Sequence, residues 1–182
     1  MELQIESIHT SLEGLYILKN NIFLDQRGSF KKILFKEDFI KLSLEYKFIE
    51  LYFSTSKLNV IRGMHFQLPP MDHVKLVYVI KGKILDVCLD LRKKSKTYGQ
   101  YFSCHLSDED SKYLYIPKGI AHGFASLEEN TIVHYAQTSS YSKEHDSGIR
   151  YDSFGFNWNI ENPIISERDI SFPKLLDFTT EF

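Results

Sequence analysis

A chain of 182 residues, 43% hydrophobic and 14% aromatic, can bury one sizeable core, and residues 1–182 read as a single domain. Its 22 basic and 24 acidic side chains leave a net charge of −2, which excludes a broad electrostatic surface for nucleic acid or an anionic membrane. Any anion it binds must meet a local cluster.

In chain order, the opening MELQIESIHT lacks the charged-then-apolar pattern of a targeting signal, and no apolar run is long enough to span a bilayer. The run LYILKNNIFL reads as one N-terminal strand able to add to the edge of a partner's sheet. FKEDFIKLSLEY is the good helix candidate before the C-terminus, with Phe39, Ile40 and Leu44 on one face. A strand is expected at 48–54, and then KLVYVI turns at Lys81 and Gly82 into KILDVCLDL. In that second strand Leu85, Val87, Leu89 and Leu91 alternate with Ile84, Asp86, Cys88 and Asp90, which predicts a half-buried strand. Further strands are expected at 112–116, 122–127 and 131–138. So many short strands divided by turns predict an all-β fold, an antiparallel jelly-roll barrel with a few short helices. Cys88 and Cys104 lack the close pairing of a zinc or redox motif and read as buried thiols of a reducing cytoplasm.

Chemistry first shows in VIRGMHFQLP, where Arg62, His65 and Gln67 interrupt an apolar run hinged on Gly63. Burying such groups without partners is costly, so they point to a pocket. Arg62 and His65 differ in strand parity, and both face it only if the backbone is irregular near Gly63. In PKGIAHGF a tight turn precedes His122, and this P-x-G-x-x-H spacing resembles the second half of the cupin signature, whose histidines commonly hold a metal. The first half would need two histidines one residue apart and a following glutamate; this chain has His65-Phe66-Gln67 and then Lys75. An ammonium repels a metal ion, so a metal-free barrel is expected, its histidines acting through protons or hydrogen bonds. Beside a substrate carbonyl, His65 can serve as base and Lys75 can steady the enolate oxygen. Inversion also needs a proton donor on the other face, for which a tyrosine is suited, and a carboxylate commonly fixes such a histidine's tautomer.

Several blocks in one order carry a resemblance: Asp25, Arg27, Gly28 and Phe30 as D-x-R-G-x-F, then IRGMHFQ, PPMDHVKLV, KILDVCLDLR with S-x-T-x-G, IPKGIAHGF, HYAQTSSY and ISERD. Together they resemble the dTDP-4-dehydrorhamnose 3,5-epimerase family over roughly residues 10–175. The resemblance implies a cytoplasmic, cofactor-independent jelly-roll homodimer that epimerises a nucleotide-linked 4-keto-6-deoxyhexose at C3 and C5, on a route to L-rhamnose-like sugars. It implies His65 as base, Asp169 as its orienting carboxylate, Tyr135 as proton donor and Lys75 as the group polarising the 4-keto oxygen. Arg62 and His122 match positions that hold diphosphate or sugar, and Arg27 matches a contact that reaches across from the partner subunit. Tyr141 falls where an aromatic ring stacks on the base, Arg168 where a lysine is usual, and Asp146 where a glutamate contacts substrate.

Two alternatives stay open from the residues themselves. Ser166-Glu167-Arg168-Asp169 also reads as a capped turn in which the carboxylate only holds backbone N–H groups. Tyr135, between Val133 and Gln137, also reads as a packed core tyrosine. Departures from the family gather on the nucleotide side, where Lys32 replaces a glutamate and Glu50-Leu51-Tyr52 replaces Gln-x-Asn. Glu50 and Tyr52 share strand parity and can both face the pocket. An accepting Glu50 with a donating Lys32 suits cytosine or guanine in place of thymine, and a Lys32–Glu50 ion pair closing the wall is the competing reading. The rivals are a C3-only or C5-only epimerase and a non-catalytic sugar-nucleotide-binding barrel.

Overall fold

Short alternating runs form strands that cross the molecule once each, and the turns between them set antiparallel pairing. The computed structural model describes residues 5–182; residues 1–4, the start of the stretch read for a targeting signal, lie outside the described residues. In chain order the elements are β1 (Ile5–His9), β2 (Tyr16–Asn20), β3 (Ile22–Asp25), β4 (Gly28–Lys31), α1 (Lys36–Lys41), β5 (Glu50–Ser56) and β6 (Ile61–Gln67). There follow β7 (Lys75–Lys81), β8 (Lys83–Asp90), β9 (Tyr101–Ser107), β10 (Lys112–Ile116), β11 (Ile120–Ser126), β12 (Thr131–Gln137), β13 (Asp146–Gly148) and α2 (Glu167–Ser171). A six-stranded sheet runs β1-β2-β10-β7-β12-β5 and faces a five-stranded sheet, β13-β6-β11-β8-β9; β3 and β4 make a separate hairpin. This is the expected antiparallel jelly roll. Val77, Leu114 and Val133 from one sheet meet Ile84, Cys88 and Phe124 from the other in the core between them.

Three expectations are corrected. The strand β8 is buried on both faces: Ile84 and Cys88 face the inter-sheet core, while Val87, Leu89 and Leu91 lie under Ile149, Phe154 and Trp158. The C-terminal segment covers what would otherwise be the wet face. The helix stops at Lys41, because Ser43 takes a left-handed φ of 57° and the Leu44 N–H turns back to the Phe39 carbonyl at 2.8 Å. Phe39 and Leu44 are therefore buried, but Ile40 is 51% exposed. Finally, LYILKNNIFL is not one strand. Asn20 turns inward, donating to the Lys32 carbonyl and accepting from the Tyr113 hydroxyl, so β2 stays between β1 and β10 of its own chain while β3 leaves the sheet. Among the described residues no helix is long and apolar enough to cross a membrane, and both cysteines are free.

Candidate active site

The strand β6 sets the site through an irregularity. Its pairing with β11 runs His122 to His65 and then Phe124 to Arg62, so Gly63 and Met64 stand opposite Gly123 alone. That extra residue cancels the parity difference, and Arg62 and His65 both line one cavity. Gly63 has φ +139°, and a Cβ there would lie 2.5 Å from the Gly123 Cα, so a side chain is excluded at the bulge.

The cavity is about 360 Å³ and lies between the two sheets. Arg62, His65 and Gln67 from β6 and His122 from β11 form one wall. Glu50, Tyr52 and Ser54 from β5, Lys75 from β7, and Tyr135 and Gln137 from β12 form the other. Tyr141 and Asp146 complete the lining, Tyr141 being 58% exposed.

His65 is held from behind. Its Nε2 lies 2.8 Å from Asp169 Oδ1, and Asp169 Oδ2 accepts the Gly63 N–H at 3.0 Å. With a carboxylate facing it, Nε2 carries the proton and the lone pair stays on Nδ1. Burial lowers the His65 pKa, with Lys75 and Arg168 adding to that and Asp169 opposing it, so the ring is neutral at neutral pH. Burial alone would raise the Asp169 carboxyl, but hydrogen bonds from His65, the Gly63 N–H and Ser166 hold it below its ordinary value. The capped-turn reading is half right. Ser166 does cap α2 by accepting the Asp169 N–H, yet the Asp169 carboxylate reaches across to β6.

Lys75 is 7% exposed, and among the described residues no hydrogen bond or ion pair is made by its ammonium. Burial takes its pKa down to about 8 against the attraction of Cys88, Asp86 and Asp146. A desolvated cation aimed at a cavity is an electrostatic handle for a developing oxyanion. Tyr135, 6% exposed, presents its hydroxyl 3.2 Å from Ser54 Oγ, and burial raises its pKa well above the ordinary phenol value. His65 and Tyr135 thus come from facing sheets to one enclosed space. His122 places Nε2 2.8 Å from the fully buried Asp86, which the alternation of β8 had set on its mixed face. Arg62 donates to Ser56 Oγ at 3.0 Å and to the Thr55 carbonyl at 3.1 Å.

The nucleotide-side residues divide. Glu50 accepts the Tyr141 N–H at 2.7 Å and Gln137 Nε2 at 3.2 Å, and Arg168 pairs with Asp146 at 2.6 Å. Tyr52 stacks on Tyr135, with ring centroids 4.7 Å apart. Lys32 is elsewhere: it is exposed, lies over the Phe35 ring and lines a shallow recess with Phe23. No Lys32–Glu50 pair forms within one chain, because Lys32 follows the β3–β4 hairpin away from the barrel. Arg27, at the hairpin tip, is 85% exposed and pairs with Asp25. Gln137, Ser54 and His73 also line the cavity without having been singled out. Strand parity with Tyr135 and Tyr52 marks Gln137 and Ser54; nothing in the local sequence marks His73. Among the described residues no group of three or more His, Cys, Asp or Glu is placed to hold a metal ion.

A jelly-roll barrel that sets a carboxylate-held imidazole and a phenol on opposite walls, with an ammonium lining the same cavity, defines a cupin-type isomerase scaffold suited to moving a proton beside a carbonyl. The model of the family described as dTDP-4-dehydrorhamnose 3,5-epimerase matches residues 9–177, so the chain belongs to that family. A dTDP-4-dehydrorhamnose 3,5-epimerase of Methanothermobacter thermautotrophicus is 41% identical over 92% of this chain and 93% of its own. The Bacillus anthracis enzyme of that name, solved with TDP and PPi bound, superposes with a TM-score of 0.91 at 36% identity, covering 94% of this chain and 99% of its own. A dTDP-6-deoxy-D-glucose-3,5-epimerase from Legionella pneumophila, in complex with dTDP-4-keto-L-rhamnose, gives 0.91 at 30% identity over 96% of this chain and 95% of its own.

Proposed function

We propose that the chain epimerises a dTDP-linked 4-keto-6-deoxyhexose at C3 and C5, with no cofactor, by proton removal and return through an enolate. The observation that carries the reading is the placement of His65 and Tyr135 on facing sheets around one cavity, with Lys75 beside them. His65 Nδ1 takes the proton next to the ketone, and the C–H electrons move into the carbonyl. Lys75 stabilises the enolate oxygen; Tyr135 delivers a proton to the opposite face. Solvent then reprotonates the phenolate and receives the His65 proton, so the net change is inversion alone. Arg62 and His122 hold the diphosphate and sugar, and Tyr141 stacks on the base at the mouth, anchored through its N–H to Glu50.

Thymine is favoured over cytosine or guanine because the matching family and its solved members carry dTDP sugars or TDP. Within one chain Glu50 is engaged with Tyr141 and Gln137 and Lys32 lies outside the cavity, so a Lys32 contact with the base is open only to the partner's hairpin. The test is turnover of the dTDP-, CDP- and GDP-linked 4-keto sugars in D2O, with deuterium read by NMR at each sugar carbon. Label at C3 and C5 of the dTDP product supports the reading. Label at one carbon, or faster turnover of another nucleotide, replaces it, and absence of exchange leaves only a binding barrel.

A homodimer completes the site. β5 is an edge strand whose Leu51 and Phe53 are 63% and 66% exposed, and the β3–β4 hairpin exposes Phe23, Leu24 and Phe30, which together offer apolar area suited to a second copy. Arg27 then reaches the partner's diphosphate. Mixing Arg27→Ala with His65→Asn subunits tests this, because activity returns only if Arg27 acts across the interface. Free Cys88 and Cys104 accord with a cytoplasmic setting.

A further inference from the structure

The inner face of β5 meets β12 in a register that puts Tyr52 opposite Tyr135, Ser54 opposite Val133 and Glu50 opposite Gln137. Two side chains of this row contact Tyr135. The Tyr52 ring lies nearly parallel to the Tyr135 ring, 18° apart in plane with centroids at 4.7 Å. Ser54 Oγ is 3.2 Å from the Tyr135 hydroxyl. Tyr52 is itself tied down, its hydroxyl donating to Gln137 Oε1 at 3.3 Å while Gln137 Nε2 donates to Glu50. The His122 ring closes the remaining side edge-on at 6.3 Å.

We infer that Tyr52 and Ser54 are positioning residues for the proton donor, bracing Tyr135 so that its O–H meets the enolate face opposite His65. This rests on the epimerase reading above and changes the role of Tyr52 from a reader of the nucleotide base to a brace for the donor. The chemistry explains the two parts. A phenol that gives its proton into the cavity must have its oxygen lone pair satisfied from elsewhere, so the Ser54 O–H donates to the Tyr135 oxygen. The same bond stabilises the phenolate left behind, in a place where burial otherwise opposes that charge. The stacked ring limits rotation of Tyr135, since a swing about its Cβ would drive it into Tyr52. Proton return from the wrong height or angle gives back the starting carbon from the His65 side and no inversion.

The brace therefore predicts a change in partition and not merely a loss of rate. In D2O with the dTDP-linked 4-keto sugar, deuterium in recovered, uninverted substrate reports His65 alone, and deuterium in inverted product reports His65 with Tyr135. Ser54→Ala is expected to slow product formation about 10-fold relative to exchange into recovered substrate, the scale of one lost hydrogen bond to a developing charge, and Tyr52→Ala about 3- to 10-fold, the scale of one lost ring stack. Tyr52→Phe keeps the ring and Ser54→Thr keeps the hydroxyl, and both are expected to restore the wild-type ratio. If the alanine variants lower exchange and inversion in parallel, or leave both as they were, the inference is overturned. Tyr135→Phe separates its failure from that of the wider reading. Inversion that survives Tyr135→Phe removes the donor itself, whereas inversion lost in Tyr135→Phe with a wild-type ratio in Tyr52→Ala and Ser54→Ala removes only the brace. Should Tyr52→Ala not fold, the two Ser54 variants decide.

Discussion

Asp169→Asn tests the orientation of the base most directly. The carboxylate faces two donors, His65 Nε2 at 2.8 Å and the Gly63 N–H at 3.0 Å, and an amide has one oxygen with which to accept. If that oxygen stays on Gly63, the amide N–H2 faces His65 and drives the ring proton to Nδ1, removing the lone pair that takes the substrate proton. If the oxygen turns to His65, two N–H groups confront each other at Gly63. Either arrangement forfeits a charge-assisted bond of about 1.5–3 kcal/mol, and displacement of the tautomer falls at the upper end, about 3 kcal/mol or roughly 100-fold in kcat. The pH profile carries a second sign. Asp169 opposes the burial-driven lowering of the His65 pKa, so its removal lets that pKa fall further. Because the proposed mechanism uses His65 as the neutral base, the acid limb of kcat/KM is expected to move to lower pH while the plateau drops. The assay is stopped-time NMR of epimerisation across pH, with thermal unfolding to show that the variant is folded. A plateau within about threefold of wild type and an unmoved limb would refute the argument.

Other predictions follow from neighbouring features. The proposed mechanism uses Lys75 as the charged group, and burial takes its pKa down to about 8, so kcat/KM is expected to fall as pH rises past that value, and Lys75→Met to lower the plateau and abolish the limb; a basic limb that survives Lys75→Met assigns it to another group. Gly63→Ala forces a Cβ to within 2.5 Å of the Gly123 Cα at a positive φ. It is expected to cost at least about 2 kcal/mol, some 4–8 °C in Tm, and to lose activity with the bulge, read by calorimetry and turnover together. Glu50→Ala releases the Tyr141 N–H, so KM for the dTDP sugar rises about 5-fold or more with kcat nearly unchanged, as steady-state kinetics will show.

Gly63 shows how far local sequence carries. A cation and a histidine of opposite parity around a glycine required a bulge, and the register with β11 contains one. Glu50 and Tyr52 followed likewise from parity and line the cavity, and Ser54, which was not singled out, continues their row. What failed was whatever depended on a distant segment. Lys32 and Glu50 could be paired on paper because both departed from the family, but nothing local reveals that the β3–β4 hairpin leaves the barrel. The alternation of β8 announced one wet face, and residues more than fifty positions later cover it.

The chain alone therefore determined most of the central strands, the turn glycines and the candidacy of His65 and Lys75, since these follow from φ preferences and side-chain chemistry within a few residues; Asp169 and Tyr135 entered only through the family resemblance. Only the tertiary structure decided that Asp169, 104 residues beyond His65, lies behind it, that Asp86 holds His122, and that Tyr52 lies flat on Tyr135. Such pairings depend on sheet register and on the stacking of one layer over another. Those are set by the packing of the whole core, and no short window of sequence contains it.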